Sequence, residues 1–219
     1  MGLLHVAAAV LAFGHAAMAS PVPETQAVAA ATKYCDAATT VCYSEYTTPE
    51  KIAIRVAIPD NATAGNFDVL LQIVAPKAVG WAGIAWGGVM TNNPLTVAWA
   101  AGGKSVVTGR KASARTYPTV DPAVSYTVLA GSTANTTHWT LNALAKGISA
   151  WGTTKLDPAS TAVALAYAHS ATAPTSADPT ARFGIHSGHA KFTLDLSSAK
   201  IADFGAAVTK VSGAAASKV

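Results

Sequence analysis

Between Trp81 and Ala101 the chain reads WAGIAWGGVMTNNPLTVAWAA, and both alternating sets of its first six residues are apolar or small. Side chains along a strand point alternately to opposite faces, so such a run belongs in a sheet that is covered on each side. Gly87 and Gly88 stop the run, and Asn92-Asn93-Pro94 supplies turn chemistry. Leu95, Val97 and Trp99 then resume it. The stretch is strand, loop, strand. Met90 falls inside the loop among polar neighbours, where two readings stand side by side. Its thioether is a soft ligand for iron or copper, and a loop methionine also serves to cap a sandwich edge.

The rest of the chain repeats this punctuation. Further strands are expected at 52–58, 67–74, 105–110, 125–129, 137–141, 162–168 and 191–196, divided by Gly, Pro and Asn. Only 141–149 and 197–204 read as short helical turns. Many short strands at this spacing predict an all-β protein, an antiparallel immunoglobulin-like β-sandwich.

Residues 1–19 are an apolar run ending Ala17-Met18-Ala19, which suits a signal peptide with Ser20 as the first mature residue. Residues 20–32, rich in Pro and Ala, are expected to be a flexible N-terminal segment, and 205–219 a flexible Ala-rich tail. The span 33–204 is then one domain, secreted and without a membrane anchor, and a monomer is expected. Cys35 and Cys42, an even pair close in sequence in such a compartment, read as a local disulfide. Asn61 and Asn135 open glycosylation acceptors, Asn61-Ala62-Thr63 and Asn135-Thr136-Thr137.

Only 12% of the 219 residues are charged and the net charge is +4, too modest for a nucleic-acid partner. Lys104, Arg110, Lys111 and Arg115 are the nearest thing to a basic patch. They read either as ordinary solvated charges or as a docking surface for an acidic redox partner.

Four histidines lie beyond the expected signal peptide: His138, His169, His186 and His189. The last two share a Gly-containing loop that leads into a strand. Three residues apart, they suit a mononuclear copper or zinc, and either alone suits an iron, while a solvated loop histidine is the plain alternative.

The series Gly-Trp…Trp86-Gly87-Gly88…Met90-Thr91-Asn92-Asn93-Pro94-Leu95…Val97-Ala98-Trp99, followed by His186 and then Phe192-Thr193-Leu194-Asp195-Leu196-Ser197-Ser198-Ala199, resembles a known family. It is the haem b cytochrome domain of the cellobiose dehydrogenase and iron-reductase type, in the DOMON superfamily. The resemblance covers roughly 34–204 and includes Tyr34-Cys35-Asp36 and Cys42-Tyr43-Ser44. It departs from the family where many members carry a Cys-x-x-Cys pair before a Trp, since this chain has Ala145 to Ala150 before Trp151.

The resemblance implies a β-sandwich with haem b held by loops at one end. It assigns Met90 and His186 as axial iron ligands, with His189 as the alternative to His186. No Cys-x-x-Cys-His occurs, so the haem would be non-covalent. The resemblance also suggests Tyr117 as a propionate contact, and Trp86 is read with Trp81 and Trp99 as core or haem-pocket wall. The activity implied is one-electron transfer rather than oxygen chemistry, because two protein ligands leave no open position. A flavin dehydrogenase would be the donor. The acceptor would be a ferric complex, which makes ferric reductase activity an open question, or a copper monooxygenase. No flavin domain is present in this sequence. Two further classes remain open from the residues: a haem-free carbohydrate-binding sandwich and a copper-binding protein using His186, His189 and Met90.

Overall fold

A computed structural model describes residues 31–213, so the expected signal peptide and residues 20–30 lie outside the described residues. In chain order the first strands are β1 (Thr32–Cys35), β2 (Cys42–Thr47), β3 (Ala53–Pro59), β4 (Val69–Pro76), β5 (Trp81–Trp86), β6 (Leu95–Ala101) and β7 (Lys104–Lys111). Short pieces follow: β8 (Thr119–Val120), β9 (Ser125–Val128) and β10 (Thr133–Ala134). Then come β11 (His138–Lys146), β12 (Ala150–Trp151), β13 (Thr154–Lys155), β14 (Val163–Ser170), β15 (Gly188–Leu194), β16 (Lys200–Ile201) and one helix, α1 (Phe204–Gly213).

These form two sheets and a hairpin. The first sheet runs β1-β2-β3-β4-β11-β10, with β9 also beside β11 and β16 beside β3; the second runs β15-β14-β5-β6-β7-β8. All pairs are antiparallel except β16 with β3. The expected all-β antiparallel sandwich is the fold.

Alternation explains the interior. Ile54, Val56 and Ile58 of β3, Val69, Leu71 and Ile73 of β4, and Leu141, Ala143 and Ala145 of β11 meet Ala82, Ile84 and Trp86 of β5 and Val163, Leu165 and Tyr167 of β14. The opposite alternation of the second sheet builds a separate outer cluster of Trp81, Val97, Trp99, Ala101 and Val106, against which Ala168, Ala181 and Phe183 pack. That accounts for a β5–β6 pair that is apolar on both faces.

Two expectations fail here. Of residues 141–149, expected to be a helical turn, 141–146 belong to β11, whose register against β4 extends from His138 opposite Pro76 to Ala145 opposite Val69. Pairing and burial override intrinsic preference. The tail expected to be flexible from 205 instead forms α1, with Ala207 and Val211 buried against Val41, Tyr43, Ala57, Leu70 and Leu129 on the outside of the first sheet. Their i, i+4 spacing gives the helix one apolar stripe. Asp203 caps it, its Oδ1 accepting the Ala206 N–H at 2.9 Å. The other expected helical turn, 197–204, contains β16 and only the first residue of α1. Residues 214–219 lie outside the described residues.

The disulfide forms between Cys35 and Cys42, which face each other in the β1–β2 hairpin. Asn61 and Asn135 are both exposed. The basic residues do not gather. Lys104 and Lys111 begin and end β7, roughly 24 Å apart at strand rise. Arg110 is only 3% exposed, its guanidinium donating to the carbonyls of Pro179 at 2.8 Å and Ala181 at 3.0 Å. It is a structural clamp rather than a surface charge.

Candidate functional site

On the outer face of the second sheet, β14 and the middle of β5 present little side chain, while Trp81 at the start of β5 lies beside Gly83. Val163, Leu165 and Tyr167 point into the core, so Ala164, Ala166 and Ala168 point outwards. Likewise Trp81, Gly83 and Ala85 of β5 point out, and Ala168 stands opposite Gly83 with Ala166 opposite Ala85. The result is a floor of glycine and alanine. Across it, Val97 and Leu95 continue the rows on one side, and His189 and Lys191 on the other. Ala164 is exposed, Ala166 and Ala168 half-buried.

Two loops border this floor. Leu165 lies beside Trp86 and His169 beside Ala82, so Met90, four residues past Trp86, belongs to one end of the strand pair. Gly188, the first residue of β15, pairs with His169 and brings His186 to the other end. The two roots are separated by about four residues, roughly 13 Å along the strands. The loops are therefore rooted at opposite ends and border an outer face, whereas the resemblance pointed to loops sharing one end.

The Met90 loop is tightly built. Gly87 and Gly88 have φ of 122° and 80°, and Asn92 has φ of 60°, the left-handed conformations that Gly and Asn tolerate. Gly88 approaches Ala164 on the floor, where an added Cβ would lie 3.6 Å from the alanine methyl. Thr91 bridges to Ala112, and the Asn92 N–H donates to the Ala112 carbonyl at 2.7 Å. Asn93 holds the centre: its Nδ2 donates to the carbonyls of Val89 at 2.9 Å and Thr91 at 3.2 Å. Its Oδ1 accepts the Trp151 indole N–H at 2.8 Å. Met90 itself is half-buried.

The other loop, 171–187, crosses the outer cluster and returns. Ser176 accepts the Trp99 indole N–H at 2.8 Å, and Arg110 clamps Pro179 and Ala181. The Tyr117 hydroxyl accepts the Phe183 N–H at 3.2 Å, Phe183 packs edge-on against Trp81 with centroids 5.2 Å apart, and the Arg182 guanidinium lies 4.4 Å above the Tyr117 ring. Tyr117 thus anchors the segment that carries His186. At its end the Ser187 N–H donates to the His169 carbonyl at 2.8 Å.

His186 is half-buried and His189 exposed, their rings edge-on with centroids 4.7 Å apart. Burial, then the charges of His189 and His169, hold His186 below the ordinary 6.5, so its imidazole is neutral at physiological pH. His169, on the core side, is 3.4 Å from Glu50 Oε1, linking the base of this loop to the β2–β3 turn of the opposite sheet.

Of the two readings of Trp86, core or haem-pocket wall, the structure fits the first: it is 1% exposed between the sheets, its indole N–H donating to Thr96 Oγ1 at 2.8 Å. Its parity along β5 turns it away from the floor. The floor, Asn93, Trp151 and the Glu50–His169 contact went unread in the sequence. The alternation of alanines in VALAYAHS was the available signal for the first. No tryptophan among the described residues is exposed: four are buried and Trp151 is half-buried. A stacking platform for sugars therefore has no tryptophan to build on.

Residues 34–206 match the family described as the cytochrome domain of cellobiose dehydrogenase. Among solved structures, the chain is similar to the cytochrome b domain of pyranose dehydrogenase from Coprinopsis cinerea, with a TM-score of 0.75 and 22% identity over 84% of this chain and 97% of that one. It is also similar to the cytochrome domain of Myriococcum thermophilum cellobiose dehydrogenase, with a TM-score of 0.72 and 19% identity over 83% and 96%. At these identities the two structures speak for the fold, and the family match over most of the sequence speaks for kinship. The chain belongs to the family of the cytochrome domain of cellobiose dehydrogenase, an electron-transfer module.

Proposed function

We propose that this protein is a secreted b-type cytochrome that transfers single electrons through a haem held non-covalently by Met90 and His186. The observation that carries the reading is the floor of Gly83, Ala85, Ala164, Ala166 and Ala168, bordered from opposite ends by the loops bearing those two residues. The β14 alanines leave room for a flat macrocycle, Ala164 exposed and Ala166 and Ala168 half-buried, and Trp81 beside buried Gly83 forms an apolar border. When bound, the haem supplies a one-electron ferric/ferrous couple, and thioether ligation raises its potential.

The residues of the chain have distinct tasks. Neutral His186 offers a lone pair to the metal without first losing a proton. Met90 offers sulfur from a loop whose backbone is fixed at several points, which limits rearrangement on electron transfer. Tyr117 accepts the Phe183 N–H and keeps its own O–H free to donate to a carboxylate such as a propionate. Arg182, lying on the Tyr117 ring, adds positive charge at the same place.

Secretion is supported by the Cys35–Cys42 disulfide, which an oxidising compartment maintains, and by exposed glycosylation acceptors at Asn61 and Asn135. The redox partners proposed are an extracellular flavin dehydrogenase as donor and a ferric complex or copper monooxygenase as acceptor. Titration of the apo-protein with haem, followed by absorption after reduction, tests the proposal. Stoichiometric uptake with sharp α and β bands is expected. No uptake, or broad high-spin bands, would contradict it, and copper uptake without haem would favour the His186–His189 copper site.

A further inference from the structure

We infer that Asn93 is a positioning residue for Met90, and that Trp151 fixes the direction in which the Asn93 amide points. The inference rests on the reading of Met90 as an axial ligand. One side chain reaches the carbonyls of both residues that flank Met90 in sequence: Asn93 Nδ2 donates to Val89 at 2.9 Å and to Thr91 at 3.2 Å. One amide group thus ties the peptide that enters Met90 to the peptide that leaves Thr91, so the two-residue span Met90-Thr91 is held at both ends and the Met90 side chain has little freedom to tilt.

The amide orientation follows from chemistry. An indole N–H only donates, so the atom 2.8 Å from Trp151 Nε1 must be the carbonyl oxygen of Asn93. That leaves Nδ2, with its two hydrogens, for the two backbone carbonyls. Reversing the amide would set N–H against N–H and oxygen against both carbonyls. Trp151, on the separate β12–β13 hairpin, therefore selects the only arrangement that brackets Met90. Gly87 makes room for this: a Cβ there would stand 2.5 Å from Asn93 Oδ1 and 3.0 Å from Trp151 Cζ2. A loop needing only closure has its turn hydrogen bonds already, from Trp86 N–H to the Pro94 carbonyl at 3.0 Å and from Asn92 N–H to the Ala112 carbonyl at 2.7 Å. The Asn93 bracket is additional to them and centred on residue 90.

The test uses haem-loaded wild type, Asn93→Ala, Asn93→Asp and Trp151→Phe. Carbon monoxide binding to the ferrous form and the thioether-to-ferric charge-transfer band are read, with apo-protein melting as the control. Asn93→Asp still accepts from Trp151 but has no N–H for Val89 or Thr91, which separates the bracket from the tether. Loss of two hydrogen bonds predicts carbon monoxide binding faster by about tenfold in Asn93→Ala and Asn93→Asp. The thioether band should weaken, and the haem should stay bound. Trp151→Phe, which keeps the aromatic packing, should give a smaller change of the same kind. Variants that melt lower yet bind carbon monoxide at the wild-type rate and keep the band would overturn the inference. Absence of the band from wild type would instead overturn the assignment of Met90, and this inference with it.

Discussion

A Cβ added to Gly188 would lie 2.3 Å from Nε2 of the His169 imidazole. The bare backbone of residue 188 is thus what lets the His186 loop close onto β14, since His169 and Gly188 are also register partners. Gly188→Ala must displace either a ring that is anchored by stacking on Tyr167 or the loop itself. The expected cost is about 1 to 3 kcal/mol of stability, with weakened haem retention, measured by denaturation of the apo-protein and by haem transfer to a scavenging apoglobin.

The Glu50 carboxyl, 3.4 Å from His169, gives the protein an acid-sensitive contribution. Burial pushes the Glu50 carboxyl up, but its own backbone N–H, the Thr48 hydroxyl, the charge of His169 and the Tyr167 hydroxyl together hold it below the ordinary 4.5. A depressed carboxyl contributes stability above its unfolded value and loses it as pH falls through the folded one. Glu50→Gln should lower the apo melting temperature by less than about 3 °C near neutrality, because the carboxylate is partly solvated. The difference from wild type should vanish well below pH 4.5. A gap that persists in acid would show that packing rather than charge is at stake.

Filling the floor should separate folding from haem binding. Ala166 faces outwards and is half-buried, so Ala166→Phe adds bulk without entering the core. Haem affinity is expected to fall by at least about tenfold, while far-ultraviolet circular dichroism of the apo-protein stays unchanged. Undiminished affinity would mean that the macrocycle lies elsewhere.

Trp86 should behave in the opposite way. Trp86→Phe loses a buried indole N–H···Oγ1 bond to Thr96 and some core volume, a cost of about 1 to 3 kcal/mol. Absorption maxima of the haem-loaded variant should match the wild type, since the residue faces away from the floor. A shifted Soret band would restore it to the pocket.

The residues that made the fold legible were those whose alternation is strong. β5 and β6 begin and end where the apolar runs do, at Trp81–Trp86 and Leu95–Ala101. Where the alternation is written in alanine it loses contrast, as in the second half of β11, Ala143-Leu144-Ala145. The same weakness hid the floor, because Ala164, Ala166 and Ala168 look like filler beside Val163, Leu165 and Tyr167. Candidate ligands were nameable as single residues, Met90 by its loop and His186 by family resemblance. Their supports were not, because Asn93 and Trp151 are 58 positions apart and Glu50 meets His169 only when the two sheets pack. Arg110 misled in the other direction, since its charge implied a surface while the 171–187 loop buries it.

The central claim is that one sulfur and one imidazole share a single iron, and X-ray absorption at the iron edge of the haem-loaded protein tests it most directly. Beyond the pyrrole nitrogens, the account predicts one thioether sulfur that disappears in Met90→Ala and one imidazole that disappears in His186→Ala but persists in His189→Ala. A spectrum without sulfur, or one in which two imidazoles are bound, would contradict it.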